Sequence, residues 1–270
     1  MSFQDKVVLV TGASSGIGAA IAEKFASEGA KVAIVARNTT KLAEVSKKCE
    51  KVGSKPLVIV ADVTTEESAR KAVSQTIDQF GKLDVLINNA GIVKNCGILD
   101  EEAIETFDLI MTTNLRSIVC FTHIAGPHIV ASKGNIINIS SVASLGVVMD
   151  KAFAYCTSKA GLDHFTRCIA LELAPKGVRV NTINPGIVKT DIISNWMGLD
   201  KATQDAVYDK MEKSSPLGRI SSSEEIADLT LFLASEKAKS ITGSSYVIDN
   251  GAILSPSGSG NDDQAIISSR

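Results

Sequence analysis

One turn near the start constrains this chain more than any other feature. Val7-Val8-Leu9-Val10 reads as a strand buried on both faces, and it runs through Thr11 into Gly12-Ala13-Ser14-Ser15-Gly16-Ile17-Gly18. The stretch that follows, IGAAIAEKFASEG, carries apolar residues at helical spacing. A strand that turns straight into a helix offers backbone N–H groups and the positive end of the helix dipole to an anion. Glycine allows the tight turn and lets a pyrophosphate approach the backbone. Gly12, Gly16 and Gly18, with Ser14, Ser15 and Ile17 between and beside them, therefore read as a cradle for dinucleotide phosphates.

The same alternation continues along the chain. VAIVA (32–36), PLVIVA (56–61) and LDVLIN (83–88) read as further strands buried on both faces, and the helical patterns between them end at Gly29, Gly53 and Gly81. Residues 101–132 read as helical with a break near Asn114. Then follow a strand over 134–140, a helix over 154–174, a strand over 178–184, a looser helical segment over 190–213, a helix over 223–235 and a strand over 244–249. Strands alternating with helices imply right-handed parallel crossovers. The expectation is an α/β, Rossmann-type doubly wound parallel sheet of about seven strands, in a single domain over 1–254. The remainder, 255–270, opens rich in serine, glycine and proline and reads as a flexible tail.

Composition narrows the function classes. A chain of 270 residues buries a substantial core without disulfides or metals. Its net charge of −2 gives no electrostatic case for nucleic acid or an anionic membrane as partner. No apolar run reaches the roughly 18 residues of a membrane span, and the N-terminal segment lacks the pattern of a signal peptide, so a cytoplasmic setting is expected. The five cysteines contain no C-x-x-C, and the three histidines show no ligand spacing, so neither a disulfide framework nor a bound metal is expected.

A second motif carries chemistry. AYCTSKAG lies on the helix expected over 154–174, and Tyr155 and Lys159, four residues apart, fall on one face. Upstream, IINISS ends a strand at Ser140 and Ser141, and Asn114 sits at the expected helix break. The glycine spacing is G-x-x-x-G-x-G. With INNAG at 87–91 and the Ser and Tyr-x-x-x-Lys set, the chain from about 5 to about 252 resembles the short-chain dehydrogenase/reductase family, 3-oxoacyl-acyl-carrier-protein reductases among its members.

That resemblance implies an oxidoreductase using Asn114, Ser141, Tyr155 and Lys159 as its catalytic set. Carbonyl reduction needs a hydride on carbon and a proton on oxygen. A free tyrosine titrates near 10, too high to serve well at neutral pH, so a nearby lysine cation is expected to lower Tyr155. Tyr155 is then the general acid in reduction and the base in oxidation. Lys159 also binds the nicotinamide ribose, Ser141 hydrogen-bonds the substrate oxygen, and Asn114 holds a water that links Lys159 to solvent. The resemblance further implies that Asp62 and Val63 flank the adenine and that Asn89, Ala90 and Gly91 support the sheet and the adenine ribose. Pro185, Gly186, Val188 and Thr190 hold the nicotinamide amide. Ala36 stands where NAD-using members carry an aspartate, and Arg37 follows it. An arginine suits a 2′-phosphate, with Ser14, Ser15 or Asn38 adding a hydrogen bond, so NADP is the expected cofactor and NAD the alternative.

Val93, Leu145, Val147, Val148, Met149, Phe153, Ile192, Ile193, Trp196 and Met197 are expected to line the substrate pocket, which suggests a hydrophobic carbonyl or alcohol. The family resemblance implies a homotetramer or homodimer. The alternatives are an NAD-dependent alcohol dehydrogenase of the same family and a non-catalytic NADP-sensing scaffold.

Overall fold

The computed structural model describes residues 2–190 and 201–254. Among these, seven strands form one parallel sheet: β1 (Val7–Thr11), β2 (Lys31–Ala36), β3 (Leu57–Val60), β4 (Val85–Asn88), β5 (Asn135–Ile139), β6 (Arg179–Pro185) and β7 (Ser245–Ile248). Their order across the sheet is β3-β2-β1-β4-β5-β6-β7. The chain therefore winds outward from β1 in one direction to β3, returns, and winds outward in the other direction from β4. The gap between β1 and β4 is the topological switch point, where open α/β sheets form a crevice beyond their strand ends.

Eight α-helices cover the sheet among the described residues: α1 (Gly16–Ser27), α2 (Thr39–Val52), α3 (Glu66–Phe80), α4 (Ala103–Met111), α5 (Ser117–Ser132), α6 (Phe153–Leu173), α7 (Lys201–Ser214) and α8 (Ser223–Ala234). The pleat of β1 explains the two layers. Val8 and Val10 pack on one face with Ile21 and Phe25 of α1, Leu42 of α2 and Ile226 of α8. Val7 and Leu9 pack on the other with Val73 of α3, Phe121 and Ile129 of α5 and Ala170 of α6. A strand buried on both faces must be apolar at every position, which is why the run Val7–Val10 shows no alternation.

Two expectations need correction. The strand expected over 56–61 is not buried on both faces: β3 is the sheet edge, and Val58 and Val60 are exposed. Its apolar run belongs to an edge strand whose outer face no helix fully covers. Gly53, read as the usual residue past a helix, is extended at φ −167° and not left-handed like Gly81 at φ +81°. Glycine is needed there because a Cβ would run into the carbonyl oxygen of Ala26 at the end of α1.

The break expected near Asn114 takes the form of a π turn over Thr112–Arg116 that joins α4 to α5 without interrupting the helical path. A single π turn inside an α-helix recurs at functional sites because it rotates one side chain out of register.

Candidate active site

Almost every residue singled out in the sequence lies beyond the C-terminal end of a strand. Gly12 to Gly18 follow β1, Arg37 and Asn38 follow β2, Asp62 and Val63 follow β3, Asn89 to Gly91 follow β4, and Ser141 follows β5. Pro185 ends β6, with Gly186, Val188 and Thr190 after it. Tyr155 and Lys159 reach the same edge from the first two turns of α6. Ile192, Ile193, Trp196, Met197 and the tail 255–270 lie outside the described residues.

The turn after β1 is held open by its neighbours. Thr11 Oγ1 accepts from the backbone N–H groups of Asn89 (3.0 Å) and Ala90 (3.2 Å), and Asn89 Nδ2 donates to the carbonyls of Thr11 (2.9 Å) and Gly12 (3.2 Å). Asn89 thus works as a strut that ties the ends of β1 and β4 together. Gly12 is left-handed at φ +66°. A Cβ on Gly18 would strike Asn89 Nδ2 and lie 2.5 Å from the Gly12 carbonyl oxygen. Ser15 caps α1 with no side-chain hydrogen bond, so the first turn of the helix is left to an outside acceptor. These features fit a pyrophosphate. Gly18→Val is expected to lower the melting temperature by about 5 °C or more, from a backbone contact that must shift. Thermal unfolding with and without nicotinamide dinucleotide checks this; an unchanged midpoint would contradict the packing described.

At the end of β2, Arg37 is 73% exposed and its nearest acidic group is Asp62, 3.8 Å away. Hydrogen bonds from the Thr64 backbone N–H (3.0 Å) and hydroxyl (2.8 Å), with a smaller contribution from Arg37, hold the Asp62 carboxyl below its ordinary range. Asn38 spends its side-chain oxygen as the cap of α2, accepting from Lys41 N (2.9 Å), which leaves its amide nitrogen as a donor. Ser14 and Ser15 border a cavity of about 320 Å³ between α1, α2 and the start of α8, and Lys41 borders it too. The sequence reading missed Lys41. Its signal was its place in the first turn of α2, three residues past the capping Asn38.

The expected Asn-Ser-Tyr-Lys group is assembled from four elements. Lys159, 4% exposed, donates to the Ile139 carbonyl at the end of β5 (3.0 Å), and its ammonium lies 5.8 Å from the centre of the Tyr155 ring. Asn114 is fully buried: its oxygen accepts from Ile92 N (2.8 Å) and its nitrogen donates to Ile92 O (2.9 Å) and Ser158 Oγ (3.3 Å). The π turn places it there. The backbone of Gly91 passes so close that a Cβ would sit 3.4 Å from Asn114 Oδ1 and 3.6 Å from Lys159 Nζ. Of the two candidate serines, Ser140 is buried with its hydroxyl toward the Lys159 carbonyl (3.4 Å), whereas the Ser141 hydroxyl accepts from Ala143 N (3.1 Å) and is close enough to the Tyr155 hydroxyl to favour its ionised form.

One expectation about charge is reversed in the protein alone. Tyr155 was expected to be lowered by Lys159. Instead burial raises the phenol above its ordinary value, and only the hydrogen bond with Ser141 pulls it back. Burial also brings Lys159 down to about 8, against a favourable contribution from Asp163. Desolvation outweighs attraction in both cases, because removing a charge from water costs more than one neighbouring group returns.

Around this group, Val93, Met149 and Phe153 are partly buried, while Leu145, Val147 and Val148 are exposed on the loop before α6. Phe153 stacks on Phe107 of α4, with ring centres 6.2 Å apart. Thr190 is gripped by Tyr208 of α7, whose hydroxyl donates to the Thr190 carbonyl (2.6 Å) and accepts from its N–H (3.2 Å). Phe107 and Tyr208 carried no signal in the sequence, since tertiary packing alone brings them here. Among the described residues no cluster of His, Cys, Asp and Glu is arranged to hold a metal, and no helix is long and apolar enough to cross a membrane.

Comparison with known proteins yields a consistent set of matches. A family model described as enoyl-(acyl carrier protein) reductase matches residues 12–252. The chain is 38% identical over 247 residues to 2,5-dichloro-2,5-cyclohexadiene-1,4-diol dehydrogenase LinX of Sphingobium indicum, covering 91% of this chain and 95% of that protein. A short-chain dehydrogenase/reductase from Caenorhabditis elegans, solved with cofactor, superposes with a TM-score of 0.87 at 37% identity, covering 93% of this chain and 96% of that one. The 3-ketoacyl-(acyl-carrier-protein) reductase of Brucella melitensis, solved with NADH, superposes with a TM-score of 0.82 at 31% identity, covering 93% of this chain and 99% of that one.

Proposed function

Because the chain belongs to the short-chain dehydrogenase/reductase family of oxidoreductases, we propose that it is an NADP(H)-dependent enzyme that interconverts a hydrophobic ketone and its secondary alcohol. The observation that carries this reading is the meeting of Ser141, Tyr155, Lys159 and Asn114 at the strand ends beside the glycine turn. The nicotinamide, when bound, supplies or accepts the hydride.

The chain's own groups do the rest. Gly12, Gly16 and Gly18 with the first turn of α1 hold the phosphates, and Ser14, Ser15 and Ile17 line the turn. Asp62 and Val63 flank the adenine, and Asn89, Ala90 and Gly91 brace the floor beneath it. Pro185, Gly186, Val188 and Thr190 hold the amide end. Ser141 holds the substrate oxygen against Tyr155, whose hydroxyl gives that oxygen its proton in reduction and takes it in oxidation. Lys159 binds the ribose and, with the positive charge of the oxidised nicotinamide, offsets the burial that otherwise keeps Tyr155 protonated. Asn114 fixes the Gly91-Ile92 backbone against which Lys159 lies.

Arg37 supports the choice of NADP. Its planar fork is suited to a 2′-phosphate, and Lys41 brings a second cation to the side of Ser14 and Ser15. The neighbouring Asp62 favours the second reading, an NAD-linked alcohol dehydrogenase, because it partly neutralises Arg37. Titration with NADPH and NADH, followed by nicotinamide fluorescence, separates the two. Tighter NADPH binding that weakens about 10- to 100-fold in Arg37→Ala supports the phosphate contact. Equal binding of both dinucleotides, unchanged by the substitution, contradicts it.

For the substrate, the exposed Leu145, Val147 and Val148 with Val93, Met149 and Phe153 give the mouth an apolar wall. Turnover is expected to rise with the apolar surface of the ketone, and exclusive turnover of small charged sugars would contradict this. The reading includes a homotetramer or homodimer, supported by Leu171 of α6 and Val247 of β7, both exposed in the single chain.

A further inference from the structure

Behind the serine and the lysine lies a buried carboxylate that the catalytic set leaves out. Asp163 stands on α6 one turn past Lys159 and two turns past Tyr155, and it is 3% exposed. Its Oδ2 accepts from Ser144 Oγ (2.6 Å) and from Asn184 Nδ2 (2.7 Å). Asn184, fully buried at the end of β6, also donates to Ser144 Oγ (2.8 Å) and to the carbonyl of Ser141 (3.2 Å). Ser144 Oγ also lies 2.8 Å from that same Ser141 carbonyl, so its one proton is shared between the carbonyl and the Asp163 carboxylate. Ser141 opens the single helical turn Val142–Ser144, so the segment that carries the substrate-binding hydroxyl is fastened from beneath at both ends by this network.

The other carboxylate oxygen, Oδ1, has no hydrogen-bond partner among the described residues, and neither does Asn184 Oδ1. A carboxylate buried with one oxygen bare is costly unless a cation offsets it. Lys159, buried one turn earlier on the same helix, is the cation placed to do so, acting through the interior and not through a direct ion pair. Around Lys159 lie Tyr155, Cys156 and Asp163 on α6, Asn114 from the π turn, the Ile139 carbonyl from β5 and the Gly91 backbone. Around Asp163 lie Ser144 from the turn and Asn184 from β6. Glu101 and Glu102 just before α4, Glu105 and Asp108 in it and Arg116 of the π turn are all exposed. Among the described residues of α4, the π turn and α6, Asp163 is thus the one buried acidic side chain.

We propose that Asp163 is a positioning residue of the active site, whose carboxylate aims Ser141 through Ser144 and Asn184 and serves as the counter-charge of Lys159. The proposal rests on the roles given above to Ser141 and Lys159. It divides into two separable effects. Geometry passes through Ser144, and charge acts directly on the ammonium, in the direction that favours its protonated form.

Three variants of the full-length protein test it, with dinucleotide affinity measured by fluorescence from pH 6 to 10 beside steady-state kcat, using whichever of NADPH and NADH binds more tightly. In the parent, affinity falls as pH rises through the titration of Lys159 near 8. Asp163→Asn keeps the shape and, with its amide oxygen in the place of Oδ2, the hydrogen bonds from Ser144 and Asn184, but removes the charge. Its alkaline fall is expected about one pH unit lower than in the parent. Ser144→Ala keeps the charge and cuts one fastening, so kcat is expected to fall about tenfold with the alkaline limb unmoved. Asp163→Ser is the substitute should Asp163→Asn fail to fold, and it must shift the same limb. An alkaline limb that stays in place in both Asp163 variants overturns the charge role, and a normal kcat in Ser144→Ala overturns the positioning role. Tyr155→Phe run alongside distinguishes the two levels. If it keeps full activity, the site reading itself has failed. If it is inactive while the Asp163 and Ser144 variants behave as the parent, only this inference has.

Discussion

Tyr155→Phe is expected to lower carbonyl reduction by about 10²- to 10⁴-fold while dinucleotide affinity changes less than about twofold. The substitution removes one hydroxyl and keeps the ring, so the contact with the Lys159 ammonium at 5.8 Å survives and the helix face is unaltered. What is lost is the proton donor and the partner of Ser141. Ser141 remains to hold the substrate oxygen, which is why residual activity well above background is expected. Turnover of a hydrophobic ketone and fluorescence titration of the cofactor, measured on the same preparation, check the separation. Substantial activity in the variant would mean that another group supplies the proton, and a parallel loss of cofactor binding would mean that the ring is chiefly a packing element.

Lys159→Met is expected to act on binding, chemistry and stability together, with opposite signs. Cofactor affinity and turnover should each fall at least tenfold, because the proposed role of this ammonium is to contact the ribose and favour the phenolate. Stability behaves differently. The unfolded chain keeps the lysine proton up to its ordinary value of 10.5, whereas burial in the folded protein brings it down to about 8. Between those values the unfolded state binds more protons, so the parent gains stability relative to the variant as pH rises across that window. The ammonium's burial costs on the order of 3 kcal/mol below the window. The methionine variant does not bear this cost, although it leaves the Ile139 carbonyl without its donor. Urea unfolding of both proteins at several values from pH 7 to 10 checks the sign: parallel stabilities across the range would mean that Lys159 is not held in a desolvated site.

Much of this architecture was legible because its signals are local. Continuous apolar runs and period-3.6 patterns placed the strands, and the helices other than the looser segment expected over 190–213, to within a few residues, since a doubly wound sheet buries most of its strands on both faces and leaves its helices amphipathic; of that looser segment the described part is the helix Lys201–Ser214. The glycine turn was readable as a turn because a strand that passes straight into a helix, with Gly12 left-handed and Gly18 against the Gly12 carbonyl, has few solutions in residue type. Asn114 was readable as an interruption, though not as a π turn, because helical spacing alone does not tell a break from a widened turn.

What escaped depends on tertiary placement. Nothing in PLVIVA says that β3 is an edge, because strand order is set by the crossovers. Lys41 stands on α2 and Ser14 precedes α1, and only their shared cavity relates them. Asp163 looks like one acidic residue on a helix until Ser144 and Asn184 are brought against it from two other elements. The direction of the Tyr155 shift escaped for the same reason. Four-residue spacing gives proximity to a lysine, but burial decides which effect wins, and burial is a property of the whole fold.

The proposed function has this site pass a hydride to a carbonyl carbon while Tyr155 delivers the proton. Its most direct test is isotope transfer from NADPH deuterated at the reactive carbon, in a panel of hydrophobic ketones, with the alcohol analysed by mass spectrometry. The parent is expected to give an alcohol carrying deuterium on the former carbonyl carbon, and Tyr155→Phe little or none in the same time. Absence of deuterated alcohol across the panel, in protein that binds the dinucleotide, would contradict it.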